Sequence, residues 1–242
     1  MERKNDMSKK LAIFDIDGTV FRKNLHFELI DELSWRGIFS KNARRALVAT
    51  YARWIEHRGT YEEYRKKIVS IYAKELKGCR QEDIVEASRK VADFNKNRTY
   101  IFARDLIKKL RAQKYSIIAI SGSPIEVIKE YNKYLKFDEV FGSVYETNGK
   151  GVYTGKAVFE PVRHKGHLVG QYISEKNLTL DGSYGIGDTE SDVGFLKMVE
   201  HPIAFNPNLN LERVARRRGW KIVVEKKDVI YDITNFKLIS VK

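Results

Sequence analysis

The sequence predicts an α/β fold: a Rossmann-like core with a parallel sheet, interrupted after its first strand by a helical domain. Three observations lead there. A short apolar run, Leu11 to Ile16, passes into Asp15-Ile16-Asp17-Gly18-Thr19 and has the form of a buried strand entering a turn. Residues 26–98 contain no proline and carry long helical patterns rich in Lys, Arg, Glu, Leu, Ile and Tyr. Beyond residue 100, helical and extended segments alternate, as they do when helices cover a parallel sheet.

The elements follow in order. After the first strand, four helices are expected near 26–35, 41–57, 60–76 and 81–96, with Gly37, Gly59 and Gly78 at the breaks, where helix ends favour glycine. A helix over 103–114 leads to a strand over 116–121, Ser-Ile-Ile-Ala-Ile-Ser. A helix over 124–135 follows, with Pro124 suited to its first turn. Then come a strand near 139–145, an extended piece around 152–159, a helix over 165–175 and a strand over 183–187. A helix over 191–199, a strand over 201–205, a helix over 209–218 and a strand over 221–225 complete the alternation, and 226–242 is open to a final strand or hairpin. The expected division is a core formed by 8–23 and 101–242 and a helical insert formed by 24–100.

Composition bounds the function. A chain of 242 residues, 43% apolar and 32% charged, has the make-up of a globular protein with a substantial core. No apolar run approaches the ~20 residues that span a bilayer, and Met1 to Asp6 are polar, so no membrane span and a cytoplasmic location are expected. Cys79 is the only cysteine, which excludes an internal disulfide. The net charge of +13 favours anionic ligands, yet it is spread, +5 over residues 24–100 and +8 over the rest, with no basic arm for nucleic acid. The densest cluster, Arg213 with Arg216, Arg217 and Arg218, suits the last turn of a helix. Nothing in the sequence assigns an oligomeric state.

Three motifs fall at strand ends, where open parallel sheets bind ligands. In the first, Asp15 and Asp17 are two apart and can face the same side of an extended chain, one to attack phosphorus and the other to handle a proton. In the second, Ser121-Gly122-Ser123-Pro124, a hydroxyl and exposed N–H groups before a helix form an anion site. The third is Gly187-Asp188-Thr189-Glu190-Ser191-Asp192. Asp188 and Asp192 have the four-residue spacing of one helical turn, and such hard oxygen ligands suit Mg2+. Taken alone, this last pattern fits a helix N-terminus stabilised by negative charge better than a metal site.

In this order and at these positions the motifs resemble the haloacid dehalogenase superfamily of hydrolases over about residues 10–225. The stretch from Gly187 to Asn208 and the helical insert resemble its phosphoserine phosphatase-like branch, in which the insert is a cap domain. The resemblance implies a Mg2+-dependent phosphatase acting on a small phosphorylated metabolite. Asp15 would form an aspartyl-phosphate, and Asp17 would act as general acid and base. Asp15, Asp188 and the Asp17 backbone carbonyl would hold Mg2+, with Asp192 supporting the site. Ser121 and Gly122 would hold phosphoryl oxygens. The family lysine lies at a helix start, which favours Lys165 over Lys156. The substrate-binding positions fall on Asn24, where phosphoserine phosphatases carry a glutamate for the substrate ammonium, and on Arg65, which resembles the cap arginine. Asn24 lacks that carboxylate, which argues against phosphoserine. A phosphotransferase or lipid-phosphate phosphatase with the same site, or a catalytically silent binding module, remain the alternatives. His164 and His167 are expected to face solvent, and Tyr51, Trp54, Tyr61, Tyr64 and Tyr72 to form the core of the insert.

Overall fold

The computed structural model describes residues 9–236. Met1 to Asp6, residue 8 and the last residues of the expected core, 237–242, lie outside the described residues. The first strand, β1, is Lys10–Phe14. Its Ala12 and Phe14 enter one hydrophobic core and its Leu11 and Ile13 another, all fully buried, so the strand is covered on both faces. That double burial explains an apolar run without alternation.

Four helices follow: α1 Leu25–Trp35, α2 Lys41–Ile55, α3 Tyr61–Leu76 and α4 Gln81–Asn95. Polar side chains start three of them. Asn24, Ser40 and Thr60 accept from backbone N–H groups of the first turns, and Thr60 with Glu63 forms a reciprocal capping box. Gly37 and Gly78 take left-handed conformations at their breaks, but between α2 and α3 the left-handed residue is His57, not Gly59. The insert is not isolated from the sheet. Its Leu29, Leu33, Ile68 and Val91 share one core with Phe14, Ile117 and Val127, and α1 and α4 pack on α6, Ile125–Leu135.

The rest of the chain runs through α5 Ile101–Ala112, β2 Ser116–Pro124, α6, β3 Glu139–Thr147 and β4 Tyr153–Phe159. It continues through α7 Lys165–Lys176, β5 Thr179–Gly187, α8 Val193–Leu196, β6 His201–Phe205, α9 Leu209–Arg218, β7 Lys221–Lys226 and β8 Val229–Asp232. Among the described residues these strands form one sheet in the order β4-β3-β2-β1-β5-β6-β7-β8. The six inner strands are parallel, and the two edges, β4 and β8, are antiparallel hairpin partners of β3 and β7. The expected parallel sheet is thus present, with antiparallel strands added at its two edges, where the links 148–152 and 227–228 are too short for a crossover. The α5 and α6 helices share the core with the insert, whereas α7, α8 and α9 cover the other face.

Two boundaries differ from the sequence expectation. Pro124 ends β2 instead of opening the helix, and the register with β3 shifts between Ile120 and Pro124. The helix expected over 191–199 is a 3-10 turn, Glu190–Asp192, and a single α-helical turn, α8. The reason is local: Asp192 Oδ2 accepts from the N–H groups of Asp188 and Thr189 at 3.1 and 3.0 Å, which curls the loop tightly onto its own side chain.

Candidate active site

The centre of the sheet places the three motifs side by side, because β1 lies between β2 and β5. Asp15 follows β1, Ser121 lies in the irregular end of β2, and Asp188 follows β5. Just past Asp15, the Ile16 carbonyl accepts from the N–H groups of Thr19, Val20 and Phe21, which turns the chain sharply. Gly18 sits at φ +89, and a Cβ there would stand 2.1 Å from Asp188 Oδ2. Only glycine allows both the left-handed backbone and this approach.

Lys165, at the start of α7, reaches the site from the sheet's other face. Its Nζ donates to Asp15 Oδ1 and to Asp192 Oδ1, each at 2.6 Å, and it is buried. Burial alone would lower its pKa, but the two carboxylates outweigh that and raise it above the ordinary lysine value, so the ammonium stays charged. Lys156 is exposed on β4, away from these groups.

Asp15, Asp188 and Asp192 offer carboxylate oxygens within 4.8 Å of one another. Burial pushes the Asp15 carboxyl up to about 7, opposed by Lys165 and reinforced by Asp192 and Asp17. Desolvation, with Asp15 and Asp192 as neighbours, likewise holds Asp188 well above the ordinary carboxylate range. Asp15 Oδ2 is buried without a hydrogen-bond partner. Like charges gathered out of water with an oxygen left unpaired are the conditions a divalent cation relieves, so these residues fit such an ion. The two oxygens of Asp192 are already engaged, one by Lys165 and the other by the loop amides, so its contribution is to hold both.

Asp17 stands outside this carboxylate cluster. Its Oδ2 accepts from the Ser121 hydroxyl at 2.6 Å and the Ser123 hydroxyl at 2.7 Å, and its Oδ1 accepts from the Leu25 N–H at 2.6 Å. Burial raises its pKa, and these three bonds pull it back. Ser121 thus faces Asp17 in this conformation, and its oxygen also accepts from the Ser123 N–H at 2.9 Å. Ser123 was not among the site residues expected from the sequence. Its spacing of two from Ser121 on an extended segment is the signal that could have found it.

A small chamber of about 50 Å³ is lined by Asp15, Asp17, Gly122, Ser123, Lys165 and Asp188, among others. Asn24 and Arg65 border it as well. The Asn24 side chain caps α1 by accepting from the Phe27 N–H at 2.9 Å, and Arg65 is held by Glu62 through two bonds of 2.9 and 2.8 Å. His26 also borders the chamber, buried, with its Nε2 unpartnered and its pKa lowered to about 3 by burial. His164 and His167 are exposed. Tyr72 and Tyr64 are core as expected, and Tyr64 together with Tyr51, Trp54 and Tyr61 also lines a second, larger cavity beside Asp188. Among the described residues no helix is long and apolar enough to cross a membrane.

The model of the haloacid dehalogenase-like hydrolase family matches residues 12–197 of this chain. A protein named histidinol-phosphatase from Neisseria meningitidis serogroup C is 23% identical over 89% of this chain and 98% of its own length. A crystal structure of a protein of unknown function from Bordetella pertussis superposes with a TM-score of 0.71 at 21% identity, covering 89% of this chain and 98% of that one. A substrate-bound phosphoserine phosphatase superposes with a TM-score of 0.62 at 21% identity, covering 94% and 96%. At such identities the solved structures establish the fold.

Proposed function

The chain belongs to the haloacid dehalogenase-like hydrolases, and on that footing we propose that it is a Mg2+-dependent phosphatase in which Asp15 takes the phosphoryl group of a small phosphorylated metabolite. The observation that carries this reading is the state of Asp15: one oxygen is bound by the buried Lys165 and the other is unpaired beside a chamber of phosphoryl size. A relative named histidinol-phosphatase and neighbours named phosphoserine phosphatase support the same reaction class.

The chemistry is assigned to named atoms. An Asp15 oxygen attacks phosphorus, the bond from phosphorus to the ester oxygen breaks, and Asp17 gives a proton to the departing alcohol. Water then attacks the phosphorus of the aspartyl-phosphate while Asp17 takes a proton, which frees Asp15 and inorganic phosphate. Lys165 and amides near Gly122 stabilise charge on the phosphoryl oxygens. Ser121 and Ser123 orient Asp17, and Ser123 also lines the chamber that would receive the phosphoryl group. Asp15, Asp188 and the Asp17 backbone carbonyl would hold Mg2+, which supplies electrostatic stabilisation of the transferring group when bound. Phosphoserine itself is disfavoured, because Asn24 offers no carboxylate to an ammonium and its amide oxygen already caps α1.

Phosphate release from phosphomonoesters, with Mg2+ and with chelator, tests the proposal in wild type and Asp15→Asn. Activity that needs both Mg2+ and Asp15 supports it. Activity that survives Asp15→Asn would sink it, and phosphate delivered mainly to an added alcohol would redirect it to phosphotransfer.

A further inference from the structure

A cavity of about 520 Å³ opens beside the small chamber, and the two share Asn24, Tyr61, Asp188 and Thr189 as lining residues. The phosphoryl group would occupy the smaller one, so the larger one lies where a leaving group must extend. Six aromatic residues line it: Phe27, Tyr51, Trp54, Tyr61, Tyr64 and Tyr100. Four of them form one continuous wall. Trp54 stacks on Tyr64 at 5.0 Å with an 18° angle between planes, meets Tyr61 edge to face at 5.3 Å, and meets Tyr51 at 5.8 Å. The α2 and α3 helices hold this wall, and Tyr51 remains 42% exposed although it is large and aromatic.

The Arg22, Lys23 and Glu28 charges and the Asn206 and Asn208 amides around the cavity already have partners within the protein. Arg22 donates to the Lys227 carbonyl at 3.0 Å, lies 3.4 Å from Glu225 and stacks on Tyr100 at 5.0 Å. Lys23 pairs with Glu28 at 3.0 Å. Asn206 accepts from the Glu225 N–H at 2.8 Å, and Asn208 accepts from the Leu211 N–H at 3.0 Å while donating to Glu190. Charges paired in this way offer little to an ionic substituent, because each would have to exchange a protein partner for it. A flat ring gains on both counts: it buries apolar area against the wall and can stack or meet edge to face with the four rings. The volume is also in the range of pockets that enclose a whole small ligand, well beyond a two- or three-carbon leaving group.

We propose, resting on the phosphatase reading above, that the substrate is a phosphomonoester whose alcohol carries an uncharged planar aromatic or heteroaromatic ring, seated against Tyr51, Trp54, Tyr61 and Tyr64. The ring binds in the large cavity while the phosphoryl group lies in the small one.

The test compares 2-phenylethyl phosphate with n-propyl phosphate, whose leaving alcohols are similarly basic, so the chemical step does not separate them. The aromatic ester is expected to show a kcat/KM higher by roughly tenfold or more. Trp54→Ala and Tyr51→Ala should each shrink that ratio at least threefold, mainly through KM for the aromatic ester. Tyr51 is partly exposed, so its variant keeps the test open if the Trp54 variant fails to fold. Calorimetric titration of Asp15→Asn with the same two esters reads binding without turnover, and the aromatic ester should bind at least tenfold more tightly. Equal kcat/KM for the two esters, or a preference unmoved by both substitutions, would overturn the ring assignment while leaving the phosphatase reading intact. Hydrolysis of neither ester would count against the phosphatase reading. The titration then decides the ring assignment alone, which equal binding of the two esters, or no binding, overturns.

Discussion

Lys165 and Asp15 are 150 residues apart in the chain, yet their side chains meet at 2.6 Å in a buried ion pair that Asp192 completes from the other side of the ammonium. The pair joins the end of β1 to the start of α7 across the sheet. Removing the ammonium leaves Asp15 and Asp192 buried without their cation. Lys165→Met should lower kcat by at least about a thousandfold, through loss of charge stabilisation, and reduce stability by on the order of 3 kcal/mol. Phosphate-release kinetics and urea unfolding check the two effects separately, and unchanged kcat would refute the role given to Lys165.

The Ser123 hydroxyl helps hold Asp17 in its charged form, and its bond lowers the Asp17 pKa. In Ser123→Ala that pKa therefore rises, and the acid or base limb of kcat/KM that reports Asp17 moves to higher pH. The loss of a hydrogen bond to a carboxylate should also cost roughly tenfold in kcat/KM. A pH–rate profile that stays in place would show that Ser123 does not act through Asp17.

Gly18 leaves the space in which Asp188 approaches the first motif. Gly18→Ala strains a left-handed backbone, worth about 1–2 kcal/mol, and drives a methyl group into Asp188 Oδ2. In wild type at 100 times the dissociation constant, Mg2+ should add about 2.7 kcal/mol of stability. Thermal unfolding with and without Mg2+ should show that gain largely lost in the variant while the fold persists.

The buried Asp15 makes stability depend on pH. Without a cation, the raised Asp15 pKa means the folded state holds a proton that the unfolded chain releases near 3.8. Stability is thus fully present below that value and is lost as pH rises to about 7. Stabilisation by Mg2+ should accordingly grow from pH 4 to pH 7, read as a widening gap between melting temperatures with and without the ion. A gap that is constant over this range would contradict the origin assigned to it.

His26 gives the opposite sign. Burial lowers its pKa from 6.5 to about 3, so the unfolded chain takes up a proton that the folded state refuses. Its contribution is present above pH 6.5 and is lost as pH falls toward 3, at up to about 1.4 kcal/mol per unit. His26→Phe keeps a ring against Tyr72, which His26 meets edge to face at 4.7 Å. Urea midpoints measured from pH 4 to 7 should fall less steeply in the variant, and parallel curves would remove His26 as the cause.

Much of this molecule was legible from local pattern. The apolar run before Asp15 and the glycines at 37 and 78 each act within a few residues, so their outcome follows from neighbouring chain. Other features were not legible for equally physical reasons. The hairpin edges β4 and β8 depend on pairing, and the short α8 depends on the Asp192 side chain folding back on two amides. The roles of the aromatic residues divided in the same way. Tyr64 and Tyr72 are both buried on α3, but Tyr72 packs between His26 and Tyr145 while Tyr64, stacked on Trp54, also lines the cavity.

The order of strands and helices and the three acidic and hydroxyl motifs could be read along the chain, because periodicity and turns are set by residues close in sequence. That β1 lies between β2 and β5, that Lys165 reaches Asp15, that Ser121 and Ser123 turn to Asp17, and that an aromatic wall stands next to Asp188 came from packing between distant segments. Those contacts join residues tens to hundreds of positions apart, and burial of two continuous cores on either side of the sheet is what brings them together.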